Sequence, residues 1–193
     1  MLETVVLVSY RATPAVNMVS DGCPAPELST RFSARAVLAD YVVPMKPDFT
    51  GQTARLYARY RRDLPAVQAR ELAALMGLFE DDVVIDLGCG TGQLAVPLSA
   101  HCAVVVGIDP EPQMLAGLHA RREGGVMCVL GDDGDLPMLA ASLAGSVGAV
   151  VVGNALHWMD ETVALRACAK ILRPGGAAVT LPPWTSGLKR CRS

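Results

Sequence analysis

The stretch Val83–Gly92, with the sequence VVIDLGCGTG, constrains the fold of this chain more than any other. An apolar run ends in Asp86, and three glycines then alternate with other residues: Gly88, Gly90 and Gly92. A run that is apolar throughout is typical of a strand buried on both faces of a sheet. Glycine allows unusual backbone angles and removes the Cβ that would block a ligand from the backbone. The stretch therefore predicts a buried strand and a loop that closely contacts a bound molecule, although a tight strand-to-helix turn explains a single GxG equally well.

Apolar runs alternate with helical patterns along most of the chain. Strands are predicted at 83–86, 103–109, 126–131, 147–153 and 177–181, and helices at 53–62, 66–76, 93–100, 111–122 and 161–172. Apolar strands joined by helices form βαβ units with right-handed crossovers, in a sheet covered on both faces. The sequence therefore predicts an α/β fold, with a doubly wound, mainly parallel sheet of about five strands.

The beginning of the chain lacks this alternation. Residues 1–44 show little periodicity and are punctuated by prolines, whereas a regular pattern opens at Met45. We predict that residues 1–44 form a poorly patterned N-terminal extension, which an over-long start assignment would explain. Residues 45–193 are predicted to form the domain.

Composition excludes several classes of function. The chain has 193 residues, of which 51% are hydrophobic, and this is enough for the core of one domain. A net charge of -2 gives no basic field for nucleic acid. The apolar run near the N-terminus is too short to span a membrane, and the six cysteines form no CxxC motif. We therefore expect a cytoplasmic protein with reduced thiols and with no nucleic-acid or membrane partner.

The residues around the glycine loop indicate which ligand it holds. A dinucleotide loop would carry its third glycine or alanine where this chain has Gln93, and the Gly-Lys-Ser/Thr of a phosphate-binding loop is absent. The next strand ends in Asp109, about 20 residues on, where a carboxylate can accept both ribose hydroxyls. The strand after it ends in Gly131-Asp132-Asp133, where an acid can accept a hydrogen bond from an adenine amino group. For Asp133 a solvated turn is the alternative.

The successive segments DLGCGTGQLA, GIDPEPQML, GDDGDLP, NALHWMD and ILRPGG resemble the motifs of class I S-adenosylmethionine (SAM)-dependent methyltransferases. The resemblance runs from about Val83 to Val179. It implies a Rossmann-like fold and SAM as the cofactor. Clustered acids or histidines that would hold a metal are too few near the loop, so no metal is expected.

By this resemblance, the cofactor contacts come from the ends of successive strands: Asp86, Gly88, Cys89, Gly90, Gly92, Asp109, Pro110, Met114, Asp132, Asp133 and Asn154. The backbone of Gly88–Gly92 wraps the methionine portion, and Asp86 orders the loop and the bound amino group. Asp109 takes the ribose, while Pro110 and Met114 flank the adenine. Asp132 and the backbone of Asp133 bind the adenine edge. Met114 fits helix packing equally well.

The helix at 53–62 is predicted to have Leu56, Tyr57 and Tyr60 on its apolar side. Its end, YARYRRDLP, resembles the family's N-terminal segment that closes over the cofactor. On that basis Tyr60 covers the methyl site and Arg61 meets the methionine carboxylate. Ordinary amphipathic packing is the alternative.

The segment Asn154–Asp160 follows the fourth strand and would face the cofactor sulfur. In related enzymes this position lies between cofactor and substrate. His157 is the candidate catalytic residue, as a general base near neutral pH or as a group that orients the substrate. A lone histidine is more often structural. The expected function is methyl transfer to an O, N or C atom of a small-molecule substrate.

Family members normally end in a hairpin whose final strand is antiparallel, and residues 182–193 are too few to supply it. We therefore expect a domain that is incomplete at its C-terminus, with an uncovered edge on its fifth strand. Such an edge favours a homodimer. The alternative function is that of a truncated or regulatory protein that binds SAM but transfers methyl groups weakly or not at all.

Overall fold

Strands and helices alternate along residues 50–181, which together with residues 6–9 are the part of the chain that the computed structural model describes. All of these residues belong to one compact unit. The strands are β1 Val6–Ser9, β2 Val83–Leu87, β3 Val104–Asp109, β4 Val126–Leu130, β5 Val147–Gly153 and β6 Leu172–Leu181. The helices are α1 Gly51–Tyr60, α2 Ala66–Met76, α3 Ala95–Leu98, α4 Pro112–Ala120, α5 Leu136–Leu143 and α6 Glu161–Ile171. No helix of residues 50–181 is long and apolar enough to cross a membrane.

The strands form one sheet in the order β1-β6-β5-β2-β3-β4. The strands β2 to β6 pair with parallel neighbours, and β1 pairs antiparallel with β6. From β2 the chain runs outward through β3 and β4, then returns to the other side of β2 to form β5 and β6. The strand order thus reverses between β2 and β5. This confirms the predicted α/β fold with a doubly wound, mainly parallel sheet.

Helices cover both faces of the sheet because successive side chains of a strand point to opposite faces. Val84 of β2 is buried in one core cluster with Leu72 of α2 and Leu98 of α3. The next residue, Ile85, is buried in a second cluster with Ile171 of α6. A strand that packs on both sides must be apolar throughout, which explains the pattern of β2.

Several element bounds differ from the predicted ones. The helix expected at 93–100 is shorter, since α3 spans Ala95–Leu98 and a 3-10 turn follows at Ser99–His101. Helix α5 was not predicted, because its eight residues give too short a window for a helical period. Strand β6 begins before the predicted residue 177, and its register with β5 shifts between Val147 and Ala149.

The edge of β6 carries β1, so the prediction of an uncovered edge was wrong. Val6 pairs with Thr180 and Ser9 pairs with Ala177, in an antiparallel register. This strand lies within the segment 1–44 that was predicted to be an extension without pattern. A strand of four residues is too short to show the alternation of apolar and polar residues that predicts a strand. Its conformation comes instead from pairing with the unpaired N–H and C=O groups along the edge of β6. The boundary at residues 44 and 45 lies outside the described residues, and the homodimer stays a prediction.

A buried ion pair joins the amino ends of β2 and β6. Nε and Nη2 of Arg173 each lie 2.6 Å from an oxygen of Asp82, whose residue is 6% exposed. Arg173 also donates to the Gly77 carbonyl at 2.9 Å, and its guanidinium lies 4.7 Å from the centre of the Phe79 ring. The hydrogen bonds from Arg173 lower the pKa of Asp82, although burial opposes this shift. The forked pair therefore ties the α2–β2 connection to the start of β6.

We expect Arg173→Ala to lower the free energy of unfolding by about 3 kcal/mol, because it leaves a buried carboxylate without its cation. Urea denaturation at pH 7 measures the effect. Arg70→Ala, which removes an exposed arginine of α2, is the control and should change stability little.

The difference in the free energy of unfolding between the wild type and Arg173→Ala should become smaller at acidic pH. A carboxyl whose pKa is lowered on folding stabilises the protein above its ordinary pKa, about 4, and this contribution is lost as the pH falls through the lowered value. A stability difference between Arg173→Ala and the wild type that is constant from pH 7 to pH 3 would contradict the assigned role.

Candidate functional site

The glycine loop begins at the carboxyl end of β2, at the point where the strand order reverses. Gly88, Gly90 and Gly92 all have left-handed backbones, with φ of 72°, 54° and 84°. The amides of Gly88 and Cys89 donate to the Ile108 carbonyl of β3 at 2.8 Å and 3.1 Å. The amide of Gly92 closes a turn on the Cys89 carbonyl at 3.0 Å. Open α/β sheets bind ligands at this kind of position, beyond the carboxyl ends of the strands.

Close packing on both sides also requires glycine in the loop. A Cβ on Gly88 would lie 2.5 Å from the Cβ of Ala155, and one on Gly92 would lie 2.2 Å from Cδ1 of Leu118. The loop is therefore pressed between the segment after β5 and helix α4. Cys89 is buried against β3, and burial raises the pKa of its thiol far above the ordinary value. The thiol of Cys89 is thus packed in the core and is not available to a ligand.

Asp86 is the buried acid beneath this loop. The residue is 1% exposed, and its carboxylate accepts a hydrogen bond from the Ala95 amide. Its other oxygen, Oδ2, has no hydrogen-bond partner within the described part of the chain. Burial raises the pKa of Asp86 to about 7; the bond from Ala95 opposes this shift, and the charge of Asp109 adds to it. A buried carboxylate oxygen without a donor is costly, so this atom is suited to a ligand that brings a cation or an N–H group.

Asp109 lies at the end of β3 and joins two segments of the site. Its Oδ2 accepts the amide of Gly90 at 2.8 Å, and its Oδ1 accepts the amide of Glu111 at 2.9 Å. The residue is 8% exposed. Each carboxylate oxygen has a second lone pair, so the predicted contact with ribose hydroxyls is compatible with these bonds.

The side chains of the two acids after β4 accept hydrogen bonds from backbone amides of the protein. Oδ1 of Asp132 accepts the amide of Gly134 at 2.8 Å and caps a 3-10 turn. Oδ2 of Asp133 accepts the amide of Asp160 at 2.9 Å. The bond between Asp133 and Asp160 joins the turn after β4 to the segment after β5. The predicted adenine contact of Asp132 and Asp133 stays a prediction.

Helix α1 presents a different face to the loop from the predicted one. Leu56 is 44% exposed and Tyr60 is 68% exposed. The ring of Tyr60 lies 5.5 Å from the guanidinium of Arg59, and its cover of the methyl site stays a prediction. The inward face carries Ala54, which is buried, and Tyr57, whose Cε1 lies 3.5 Å from the position of a Cβ on Gly90.

Tyr57 is the aromatic residue of α1 that lies against the glycine loop. Burial raises the pKa of Tyr57; the charge of Arg61 opposes this shift, while Asp109 and Asp86 add to it. Its hydroxyl thus stays protonated close to both acids, and Arg61 lies near it. The signal was available in the sequence, because Ala54, Tyr57 and Arg61 have the i, i+3, i+7 spacing of one helix face.

The segment after β5 forms the other wall of the site. Asn154 has a left-handed backbone, with φ of 55°, a conformation that asparagine adopts more readily than most residues. Its amide donates to the Leu181 carbonyl at 2.8 Å. His157 is exposed, and its ring centre lies 4.4 Å from that of Trp158. Of the two residues predicted to flank the adenine, Met114 is buried and Pro110 is exposed.

Comparisons with known proteins agree with this geometry. A family model described as "Methyltransferase domain" matches residues 85–180. An uncharacterized methyltransferase of Mycobacterium tuberculosis is 41% identical over 93 residues, which cover 48% of this chain and 36% of that protein. A ubiquinone biosynthesis O-methyltransferase of Xanthomonas axonopodis is 40% identical over 96 residues, which cover 48% and 39% of the two chains. The matches therefore span well under half of the length of these curated relatives.

A solved structure resembles the fold. A candidate SAM-dependent methyltransferase of Methanococcus maripaludis superposes with a TM-score of 0.60 at 19% identity, over 72% of this chain and 66% of that one. At this identity the likeness bears on the fold alone. The family model and these methyltransferase relatives, together with the glycine loop at the strand reversal, identify the chain as a member of the class I SAM-dependent methyltransferases.

Proposed function

We propose that this chain binds SAM at the glycine loop and belongs to an enzyme that methylates an oxygen atom of a small metabolite in the cytoplasm. The observation that carries the proposal is the buried carboxylate oxygen of Asp86 beneath three left-handed glycines. The proposal of oxygen as acceptor rests on relatives such as the ubiquinone biosynthesis O-methyltransferase.

The residues of the loop fit SAM in charge and in shape. Oδ2 of Asp86 lacks a donor, and the amino group of the methionine portion is a cationic donor. The loop backbone lies open at Gly90, where, among the described residues, a Cβ would come within 4 Å only of atoms of Tyr57 and Gln93. A molecule with an ammonium group next to a flat, hydroxyl-bearing nucleoside therefore suits a site built from Asp86 and Asp109.

The remaining contacts follow from where each group lies. Asp109 accepts the ribose hydroxyls, and Met114 and Pro110 border the adenine. Arg61 carries the charge that a methionine carboxylate needs, and the protonated Tyr57 donates a hydrogen bond beside it. This assignment gives Tyr57 the covering role that the sequence assigned to Tyr60.

SAM supplies an activated methyl group when it is bound, so the chain's own task is to orient an acceptor and exclude water. A hydroxyl acceptor has to lose its proton as its oxygen attacks. His157, on the 3-10 turn after β5, is the candidate base and would accept that proton on a ring nitrogen.

Calorimetric titration of the chain with SAM tests the cofactor. We expect SAM to bind and NAD not to bind, because the position of Gln93 lacks the small residue of a dinucleotide loop. Binding of NAD alone would overturn the proposal.

We expect the ligand-free protein to lose stability as the pH rises because of Asp86. A carboxyl whose pKa is raised on folding stabilises the protein fully below its ordinary pKa, and this contribution is lost as the pH rises through the raised value. Raising the pKa from 3.8 to about 7 corresponds to about 4 kcal/mol between pH 4 and pH 8. Urea denaturation of the wild type and of Asp86→Asn over this range measures the difference.

Bound SAM should offset the destabilisation caused by ionised Asp86, because its positive charge favours the ionised carboxylate. Affinity should therefore rise with pH up to about 7 and then level off. Asp86→Asn should bind more weakly and without this dependence. A pH profile that is identical in the two proteins would exclude Asp86 from the site.

We expect His157→Ala to lower kcat for a hydroxyl acceptor by about 100-fold while leaving the Kd for SAM unchanged. His119→Ala is the matched control, because His119 is exposed on α4. Transfer of radiolabelled methyl to phenolic acceptors measures kcat. Normal transfer by His157→Ala would exclude the base role, and SAM binding without transfer by the wild type would favour the non-catalytic alternative.

A further inference from the structure

Arg121 lies just beyond the last residue of α4 and reaches back to the glycine loop. Its Nη1 is 3.3 Å from the carbonyl oxygens of both Thr91 and Gly92. Its guanidinium also forms a forked pair with Asp63, with nitrogen–oxygen distances of 3.0 Å and 2.6 Å. One side chain thus contacts two loop carbonyls and the segment that joins α1 to α2.

The peptide between Thr91 and Gly92 is held at both of its polar ends. Its N–H donates to the Cys89 carbonyl, and its carbonyl oxygen accepts from Arg121. Because a trans peptide is planar, two opposed hydrogen bonds fix the orientation of the whole plane. Arg121 therefore stabilises the turn of the loop that contains the left-handed residues Gly90 and Gly92.

Helix α4 packs closely enough on the loop for Arg121 to contact the loop carbonyls. Gly117 lies one turn before Arg121 on the same helix face, and a Cβ there would lie 2.8 Å from Cγ2 of Thr91. The absence of a side chain at Gly117 thus lets the helix approach the loop. The other end of α4 is attached to the loop through Asp109, so the loop is held from both ends of one helix.

Asp63 connects Arg121 to the segment that follows α1. The amide of Leu64 donates to the carbonyl of Gln93, just after the loop, at 2.9 Å, so the connection between α1 and α2 is bonded to Gln93 directly and to the loop through Arg121. Helix α1 ends just before this connection and places Tyr57 over Gly90. Displacement of Asp63 would therefore shift the helix that covers the loop.

The pair of Arg121 and Asp63 contributes little to stability by itself. The side chains are 24% and 44% exposed, and ion pairs at such exposure contribute about 1 kcal/mol or less. The pair of Arg173 and Asp82 has the same forked geometry, with exposures of 19% and 6%, and lies at the opposite end of the sheet. Of these two pairs, the pair of Arg121 and Asp63 contacts the loop and the pair of Arg173 and Asp82 does not.

We propose that Arg121 is a positioning residue for the cofactor loop, which it holds in its binding conformation and couples to helix α1 through Asp63. This inference rests on the proposed binding of SAM. Arg121 acts through the backbone of Thr91 and Gly92 and does not itself touch the cofactor.

The test compares Arg121→Lys with Arg173→Lys, because lysine keeps the charge but cannot form the forked contacts. We expect Arg121→Lys to raise the Kd for SAM by about 10-fold, the usual size of a coupling between linked sites. Arg173→Lys should lower the melting temperature more and leave the Kd unchanged. Asp63→Asn should raise the Kd as well, and its effect should not add to that of Arg121→Lys.

Hydrogen exchange of the ligand-free proteins gives a second measurement that does not depend on SAM. The amides of Gly92 and Leu64 should exchange faster in Arg121→Lys than in the wild type, and should be unchanged in Arg173→Lys. If both variants alter the Kd and the exchange in proportion to their loss of stability, or neither does, the inference is wrong. If the wild type fails to bind SAM, the proposed function is wrong, and the exchange result still decides whether Arg121 holds the loop.

Discussion

The carboxylate of Asp109 holds together the parts of the molecule on which the site depends. It accepts the Gly90 amide from the loop after β2 and the Glu111 amide from the start of α4. Because it is buried, water does not compete for these bonds, and they are stronger than at an exposed position. The close packing of the loop on α4 follows from this connection, and so does the reach of Arg121 to the loop carbonyls.

The buried acids Asp82 and Asp86, at opposite ends of the sheet, have different environments. At the amino ends, Asp82 has a forked arginine and a lowered pKa. At the carboxyl ends, Asp86 has a raised pKa and an oxygen without a donor. The first arrangement stabilises the fold, whereas the second is costly in the ligand-free protein. Functional sites commonly keep such locally unfavourable groups because a ligand completes them.

The predictable parts of the fold are those encoded by local patterns. Strand β2 is apolar because it is covered on both sides, and its position in the sheet follows from the alternation of strands and helices. Strand β1 and helix α5 were not predicted, because a short segment acquires its conformation from neighbours that are distant in sequence. Tyr57 and Tyr60 are both aromatic, and in the structure α1 packs on α4 with Tyr60 exposed and Tyr57 close to Gly90.

The sequence by itself determined the α/β class, the glycine loop after β2 and the acids at the ends of β2 and β3, because strand period and glycine conformation are local properties. Only the tertiary structure decided that Asp133 bonds to Asp160, that Tyr57 lies close to Gly90, and that Arg121 bonds both to the Thr91 carbonyl and to Asp63. These contacts join residues far apart in the chain. Their partners depend on how helices pack across the sheet, and no periodicity within a single segment records that packing.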